Sequence, residues 1–173
     1  DLRIADAETG KICANGEIGI IELRGENVFQ GYWEMPEKTA ESFREDGFFI
    51  TGDMAVCDAD GYVSIVGRDK DLIITGGLNV YPREVESLVD EVAGVQESAV
   101  IGVPHPDFGE AVVAIVAAAP GAVSADAVIE ALAGKLAKFK QPKSVHLVDT
   151  LPRNSMGKVQ KAALREEYAG LFA

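Results

Sequence analysis

Three groups of residues in this chain have the types and spacing for chemistry on a phosphorylated ligand. Leu151-Pro152-Arg153-Asn154-Ser155-Met156-Gly157-Lys158 sets a lysine directly after a glycine in an irregular, proline-bearing loop. Such a loop lets an ammonium reach deep into a site, where its point charge suits the negative charge that develops at a phosphate under attack. An exposed surface lysine is the alternative. Thr51-Gly52-Asp53 follows a strand-like run and ends in a carboxylate. A carboxylate there can accept hydrogen bonds from two vicinal ribose hydroxyls, and a turn-stabilising aspartate fits the spacing equally well. Lys138-Phe139-Lys140-Gln141-Pro142-Lys143 puts three cations around one aromatic ring. That suits an adenine stacked on Phe139 with phosphates met by the lysines. The alternative is a helix end carrying positive charge against its dipole, with Phe139 in the core.

The elements that must position these groups fall into two parts. Residues 1–66 read as β structure. Leu2–Ile4, Ile18–Leu23, Val28–Trp33, Phe48–Thr51 and Tyr62–Val66 are the strand candidates, with a short helix after Pro36. Asp58-Ala59-Asp60-Gly61 lacks the third ligand position and closing glutamate of a calcium loop and reads as a hairpin turn. The half as a whole looks like part of a barrel. Gly67-Arg68-Asp69-Lys70-Asp71 is short, polar and flexible, a candidate domain boundary. Beyond it lies a strand at Leu72–Thr75, stopped by Gly76-Gly77. A helix then opens at Pro82, with Val85, Leu88, Val89 and Val92 on one face. Ser98–Val103 and Ala111–Ala119 read as strands around a loop at Pro104–Glu110, since two prolines bar a helix there. Ser124 is an N-cap candidate for a helix whose Val128, Leu132, Leu136 and Phe139 share a face, ended by Pro142. A further strand at Ser144–Val148 and a helix at Lys161–Tyr168 complete a small α+β domain with a short sheet and about three helices.

Composition narrows the function. Hydrophobic residues at 47% and charged residues at 25% are ordinary for a globular protein. A net charge of −12 argues against nucleic acid and against anionic membranes, yet leaves room for a phosphorylated ligand held by a few local lysines. The longest apolar run, Ala111–Ala119, is too short to span a bilayer. Cys13 and Cys57 make no disulfide framework, so a reducing, cytoplasmic setting is the easier one. No metal-ligand spacing is present, and His105 and His146 read as exposed or satisfied histidines.

The twenty residues Gly67–Glu86, GRDKDLIITGGLNVYPREVE, resemble the hinge motif of the adenylate-forming superfamily, which includes acyl-CoA synthetases, carrier-loading adenylation domains and luciferases. A linker with a glycine turn is the plain reading of the same residues. The resemblance implies roles. Arg68 contacts the ATP ribose, joined by Asp53 of the Thr-Gly-Asp motif. Lys70 is the hinge about which a small C-terminal domain rotates, and Gly76-Gly77 lines a tunnel for pantetheine. Lys158, in the family's Pro-x-x-x-x-Gly-Lys pattern, is the lysine of adenylation. Phe139, Lys140 and Lys143 lie where related ligases hold the CoA nucleotide; Gln141 stands where an arginine is often found.

The resemblance covers essentially the whole chain and is nearest to malonyl-CoA synthetases, with medium-chain acyl-CoA ligases second. It implies ATP (leaving as AMP), coenzyme A and a small carboxylic acid such as malonate or methylmalonate as reactants. Mg2+ would arrive with ATP on ligands outside this chain. The family's phosphate-binding loop, adenine-site motif and acyl pocket are not among these residues. The expectation is therefore a portion of a larger enzyme: residues 1–69 as the end of its large domain, residues 70–173 as the mobile small domain, and no turnover alone. Two other readings compete. One is a binding or regulatory module recognised by a protein lysine acetyltransferase at Lys158, since acetylation would remove the charge. The other is a carrier-loading adenylation domain.

Overall fold

The computed structural model describes residues 1–173, which divide into two compact units, 1–70 and 71–173. In the first unit, β1 (Leu2–Ala5), β2 (Ile18–Leu23), β3 (Phe49–Cys57) and β4 (Val63–Arg68) form an antiparallel sheet in the order β1-β2-β3-β4. Helix α1 (Pro36–Ser42) opens on Pro36 at its first turn, where a missing N–H costs nothing. The β3–β4 connection is tightened by Asp58, whose Oδ1 accepts the N–H groups of Asp60 and Tyr62, both at 2.9 Å. Ile4, Ile21 and Ala55 make a small core on one face.

An ion network organises this sheet. Glu22 reads as one polar letter in an apolar strand, but its side chain is fully buried. Its two oxygens are taken by different guanidinium groups, Arg3 Nε at 2.7 Å and Arg44 Nε at 2.7 Å. Arg3 sits opposite Glu22 in the β1–β2 register, so the ladder itself brings the charges together. Arg3 also reaches Asp46 at 2.6 Å and lies 3.8 Å over the Phe48 ring. Its guanidinium holds the Asp46 carboxyl below the usual carboxylate range.

Residues 28–33 are not a strand. The Tyr32 N–H goes to the Thr39 hydroxyl instead of a ladder partner, and Phe29 packs on Tyr32, Phe43 and Phe49 with centroids 5.0 to 5.8 Å apart. Aromatic clustering won over β propensity. Thr51-Gly52-Asp53 does not follow a strand either. It lies inside β3, at a register shift against β2.

The second unit is built on β8 (Gly109–Ala118). β7 (Val95–His105) pairs along one side of it, antiparallel over its whole length. On the other side β9 (Ser144–Val148) pairs with Val113–Ala117, in parallel, and β5 (Ile73–Thr75) pairs at Gly109. β6 (Leu78–Val80) forms a hairpin with β5 and closes the sheet. Side chains alternate strictly. Val112, Ala114 and Val116 join Val100 against α2 (Pro82–Val89) and α3 (Ala125–Leu132). Val113, Ile115 and Ala117 join Ala99, Ile101 and Val103 against α4 (Lys161–Glu167). Both faces are covered, so β8 reads as a continuous apolar run rather than an alternating one. Each fully buried valine or isoleucine there contributes about 1.5–3 kcal/mol relative to exposure.

Several boundaries differ from those the periodicity implies. α2 stops at Val89 rather than Val92, and the next residues close turns with Val92 N–H on the Val89 carbonyl. The strand around Ser98 is longer than expected and includes Pro104 and His105, leaving only Pro106–Phe108 as a tight hairpin tip. Ser124 caps α3 by accepting the Ala127 N–H at 3.2 Å, but the helix ends at Leu132. Ala133 is extended, and Leu136 reaches the same core from a separate turn. Equal apolar spacing therefore concealed a break.

Removing Glu22 leaves two guanidinium groups around a void. Glu22→Ala is expected to cost about 3 kcal/mol in urea unfolding, the low end of the range for a broken buried pair because both arginines reach solvent. Asp46 behaves differently. Its native affinity for a proton is depressed, so its contribution is complete above the ordinary carboxylate range and fades as the pH falls through the native value. Asp46→Asn is expected to flatten the acid limb of the stability curve below about pH 4, read by unfolding at a series of pH values.

Candidate functional site

In the first unit, the β3–β4 register places Asp53 directly opposite Arg68, and Asp53 Oδ1 meets Arg68 Nε at 2.6 Å. The two residues that the sequence links through a ribose are thus in contact with each other. Thr51 shapes the turn that presents Asp53. Its hydroxyl donates to the Ile21 carbonyl at 2.8 Å and accepts the Asp53 N–H at 3.0 Å. Arg68 keeps half its side-chain surface exposed, which leaves its terminal nitrogens able to donate outward. Lys70 follows in an exposed 3-10 turn, Asp69–Asp71.

In the second unit, Gly76 and Gly77 form the two-residue turn between β5 and β6, with φ of +58° and +78°. A left-handed pair of this kind is the favoured link for a short hairpin. Gly76 N–H donates to the Phe108 carbonyl at 2.8 Å, which ties this turn to the tip of the β7–β8 hairpin. Glu110 adds a second tie, accepting the Ile74 N–H at 2.7 Å. Lys143 Nζ stands 4.9 Å from the Phe108 ring centroid, so it belongs to the same neighbourhood.

Of the lysines in the segment Lys138–Lys143, only Lys140 approaches Phe139, its Nζ 5.9 Å from the ring centroid. That ring is half-buried against the α2–α3 core. Lys140 Nζ is engaged by both oxygens of Glu84, at 2.7 and 2.8 Å. Gln141 turns its amide onto the Leu136 carbonyl at 3.0 Å. Of the three lysines, Lys138 and Lys143 remain exposed without an ion pair. The histidines are both satisfied. His105 accepts the Asp107 N–H and packs on Phe108 and Phe172, while His146 is hydrogen-bonded to Ser144. No three His, Cys, Asp or Glu side chains gather as a metal site.

Lys158 stands at the end of a narrow loop between β9 and α4. Buried Leu151 anchors its start in the α4 core, and Arg153 bridges Val159 at its neck. Asn154 closes the loop. Its Oδ1 accepts the N–H groups of Met156 at 3.0 Å and Lys158 at 2.9 Å, and its own N–H donates to the Lys158 carbonyl at 3.0 Å. Gly157 supplies the left-handed residue, φ +77°, before Lys158. Arg153 donates to the Gly157 carbonyl and pairs with Glu97 on β7. Lys161, one turn on, pairs with Glu86 at 2.6 Å. The Lys158 ammonium is exposed and has no ion-pair partner, unlike that of Lys161. Sequence reasoning singled out the lysine but not the residues that brace its loop, Arg153, Asn154 and Glu97, nor Phe108. An asparagine four residues before a Gly-Lys end was the available signal, because asparagine side chains close tight turns.

Comparison with known proteins bears on these arrangements. Residues 84–158 match the family of AMP-binding enzyme C-terminal domains. The ATP-bound MatB of Rhodopseudomonas palustris superposes on the whole chain with a TM-score of 0.94 and 58% identity, over 35% of its own length. A 3-[(3aS,4S,7aS)-7a-methyl-1,5-dioxo-octahydro-1H-inden-4-yl]propanoyl:CoA ligase from Rhodococcus jostii is 51% identical over 88% of this chain and 30% of its own. A feruloyl-CoA synthase from Amycolatopsis is 44% identical over 97% of this chain and 34% of its own. The chain thus spans about a third of the length of the curated relatives it matches.

The Gly76-Gly77 turn yields a direct test of what its glycines are for. A β-carbon on Gly77 would meet no atom within 4 Å, so the requirement is conformational rather than steric. Gly77→Val is expected to destabilise the protein by about 1–2 kcal/mol, while Gly77→Asn, which tolerates the left-handed region, costs clearly less. Denaturant unfolding of the two variants side by side distinguishes the cases.

Proposed function

The chain belongs to the adenylate-forming acyl-CoA ligase family, and on that premise we propose that it supplies the adenylation lysine and the hinge of an AMP-forming acyl-CoA synthetase. The observation that carries the reading is the Lys158 loop: an exposed, unpaired ammonium at the end of a backbone braced on both sides. In the first half-reaction a carboxylate oxygen attacks the α-phosphorus of ATP, and the bond to the β-phosphate breaks to release pyrophosphate. Lys158 meets the negative charge that builds on the α-phosphate oxygens. Asp53 accepts from the ribose hydroxyls while Arg68, already against it, donates to the same sugar.

In the second half-reaction the thiol of coenzyme A attacks the acyl carbon, gives up its proton and displaces AMP. Residues 71–173 turn about Lys70 between the two steps, withdrawing Lys158 and presenting Gly76-Gly77 beside the adenylate. A hinge-type switch of this kind lets one domain serve two transition states in sequence. Residues 1–70 are the end of the large domain. The open backbone at Gly76-Gly77, with no β-carbon on either residue, favours a narrow passage for pantetheine. Lys143 and the exposed Lys138 favour contact with the phosphates of coenzyme A, with the half-buried Phe139 between them in sequence. Mg2+ enters with ATP.

Malonate is the acid we favour, on the resemblance to malonyl-CoA synthetases and the 58% identity with MatB over the full chain. The named relatives act on acids as different as ferulate and a fused-ring propanoate. We therefore assign the choice of acid to the two-thirds of the relatives' length that this chain does not span. No helix is long and apolar enough to cross a membrane. A second reading draws on the same loop: an exposed lysine without a partner is open to a protein lysine acetyltransferase, and acetylation would switch adenylation off by removing the charge.

The test joins this chain to the preceding portion of the Rhodopseudomonas palustris MatB and measures malonate-dependent AMP formation. The joined enzyme is expected to be active. Lys158→Ala is expected to lose about 3–4 kcal/mol of transition-state stabilisation in adenylation, roughly 10²- to 10³-fold in rate. A mutant that adenylates as fast as its parent would refute the assignment.

A further inference from the structure

A lysine that acts by position needs a backbone that holds it to within a fraction of an ångström, and a displacement of about 1 Å can cost roughly a hundredfold in rate. Lys158 has a long, flexible side chain and no ion pair to fix its head. Its main chain is correspondingly well held. Both polar backbone groups of Lys158 are engaged, and both by one residue: its N–H by Asn154 Oδ1 at 2.9 Å, its carbonyl by Asn154 N–H at 3.0 Å. The same Oδ1 takes the Met156 N–H at 3.0 Å, and the Asn154 carbonyl takes the Gly157 N–H at 2.9 Å. Four hydrogen bonds from a single asparagine therefore close the loop.

We infer that Asn154 is the positioning residue for Lys158: its side-chain oxygen sets the loop geometry from which the lysine reaches the α-phosphate. The inference rests on the reading of Lys158 as the adenylation lysine. Asn154 touches no reacting atom. It works through an acceptor that binds two N–H groups at once, which alanine, leucine or any apolar residue lacks. Arg153, which also donates to the Gly157 carbonyl within the loop, secures the loop to the sheet through Glu97, and Lys161 secures the following helix through Glu86. The external ties hold the loop in place as a body, whereas Asn154 fixes its internal shape. Loss of Asn154 frees Lys158 without dismantling the β9–α4 connection, whose core anchors are Leu151 and Leu164.

Because the lysine serves only the first half-reaction, the inference separates from a general structural role. In the enzyme joined to the MatB portion, adenylation is read as malonate-dependent exchange of pyrophosphate into ATP. Thioester formation is read from synthetic acyl-adenylate and coenzyme A. Asn154→Ala is expected to slow adenylation by about ten- to a hundredfold, chiefly in kcat, with thioester formation within about twofold of the parent. Asn154→Asp keeps an acceptor for both N–H groups and is expected to restore most of the adenylation rate. An alanine variant with parental adenylation, a parallel fall in both half-reactions, or an aspartate variant as slow as the alanine one would each overturn the inference. Lys158→Ala run beside them separates the two claims. If it abolishes adenylation while Asn154→Ala does not, the lysine assignment stands and only the positioning role fails; if it leaves adenylation intact, the underlying reading fails first.

Discussion

The second unit hangs from one strand. β8 has no solvent face: helices α2 and α3 cover one side, α4 covers the other, and its backbone is laddered to β7 on one edge and to β9 and β5 on the other. A strand buried this way must be apolar along its covered length, here Ala111–Ala118, and it must spend its N–H and C=O groups on neighbours because no water can take them. The remaining elements follow from that requirement. β7 runs along it for its whole length, with one bulge between Val95 and Glu97. β5 is positioned at Gly109, which in turn locates the Gly76-Gly77 turn.

Much of this was legible in the sequence, for reasons that can be named. The Ala111–Ala119 run announced a buried strand by length and composition, the Ser124 cap by its hydroxyl before an apolar period, and the Gly-Lys loop by residues with no use in a regular element. What escaped depended on contacts remote in sequence. Residues 28–33 have the composition of a strand, but Thr39 and three aromatic rings claim them. The pattern through Val128, Leu132, Leu136 and Phe139 has helical spacing, but the spacing says only that these side chains share a core, and a broken helix satisfies that too. Glu22 is the clearest case. Nothing local says that a glutamate in an apolar strand will be buried whole; the reason lies at Arg3 and Arg44, 19 and 22 residues away.

Charge is handled differently in different parts of an acidic chain. With a net charge of −12, carboxylates outnumber cations, and some lysines take one while others stay unpaired. Lys140 takes Glu84 and Lys161 takes Glu86. Lys158 lies close to Lys161 in sequence yet stays unpaired, and Arg153 is the residue that takes Glu97. A free ammonium keeps its full electrostatic value for an incoming phosphate, whereas a paired one must first break a contact. The same background of negative charge repels phosphates in general, so binding of a nucleotide depends on the few sites where cations are left exposed.

The parallel pairing of β9 with β8 has a consequence for how this region can vary over time. β9 leads directly into the loop of Lys158, and its five residues are locked in register from Val113↔Ser144 to Ala117↔Val148. Chain length through β9 therefore acts as a ruler: one residue inserted or deleted within the strand would shift the loop by about 3.3 Å and turn the strand's buried face outward. The connection between α3 and β9 carries no such constraint over Ala133–Lys135, where the backbone is exposed and already irregular. Insertions should accumulate before β9 and be purged after it, so the distance in sequence between β9 and the lysine should be among the most uniform lengths in any set of related proteins.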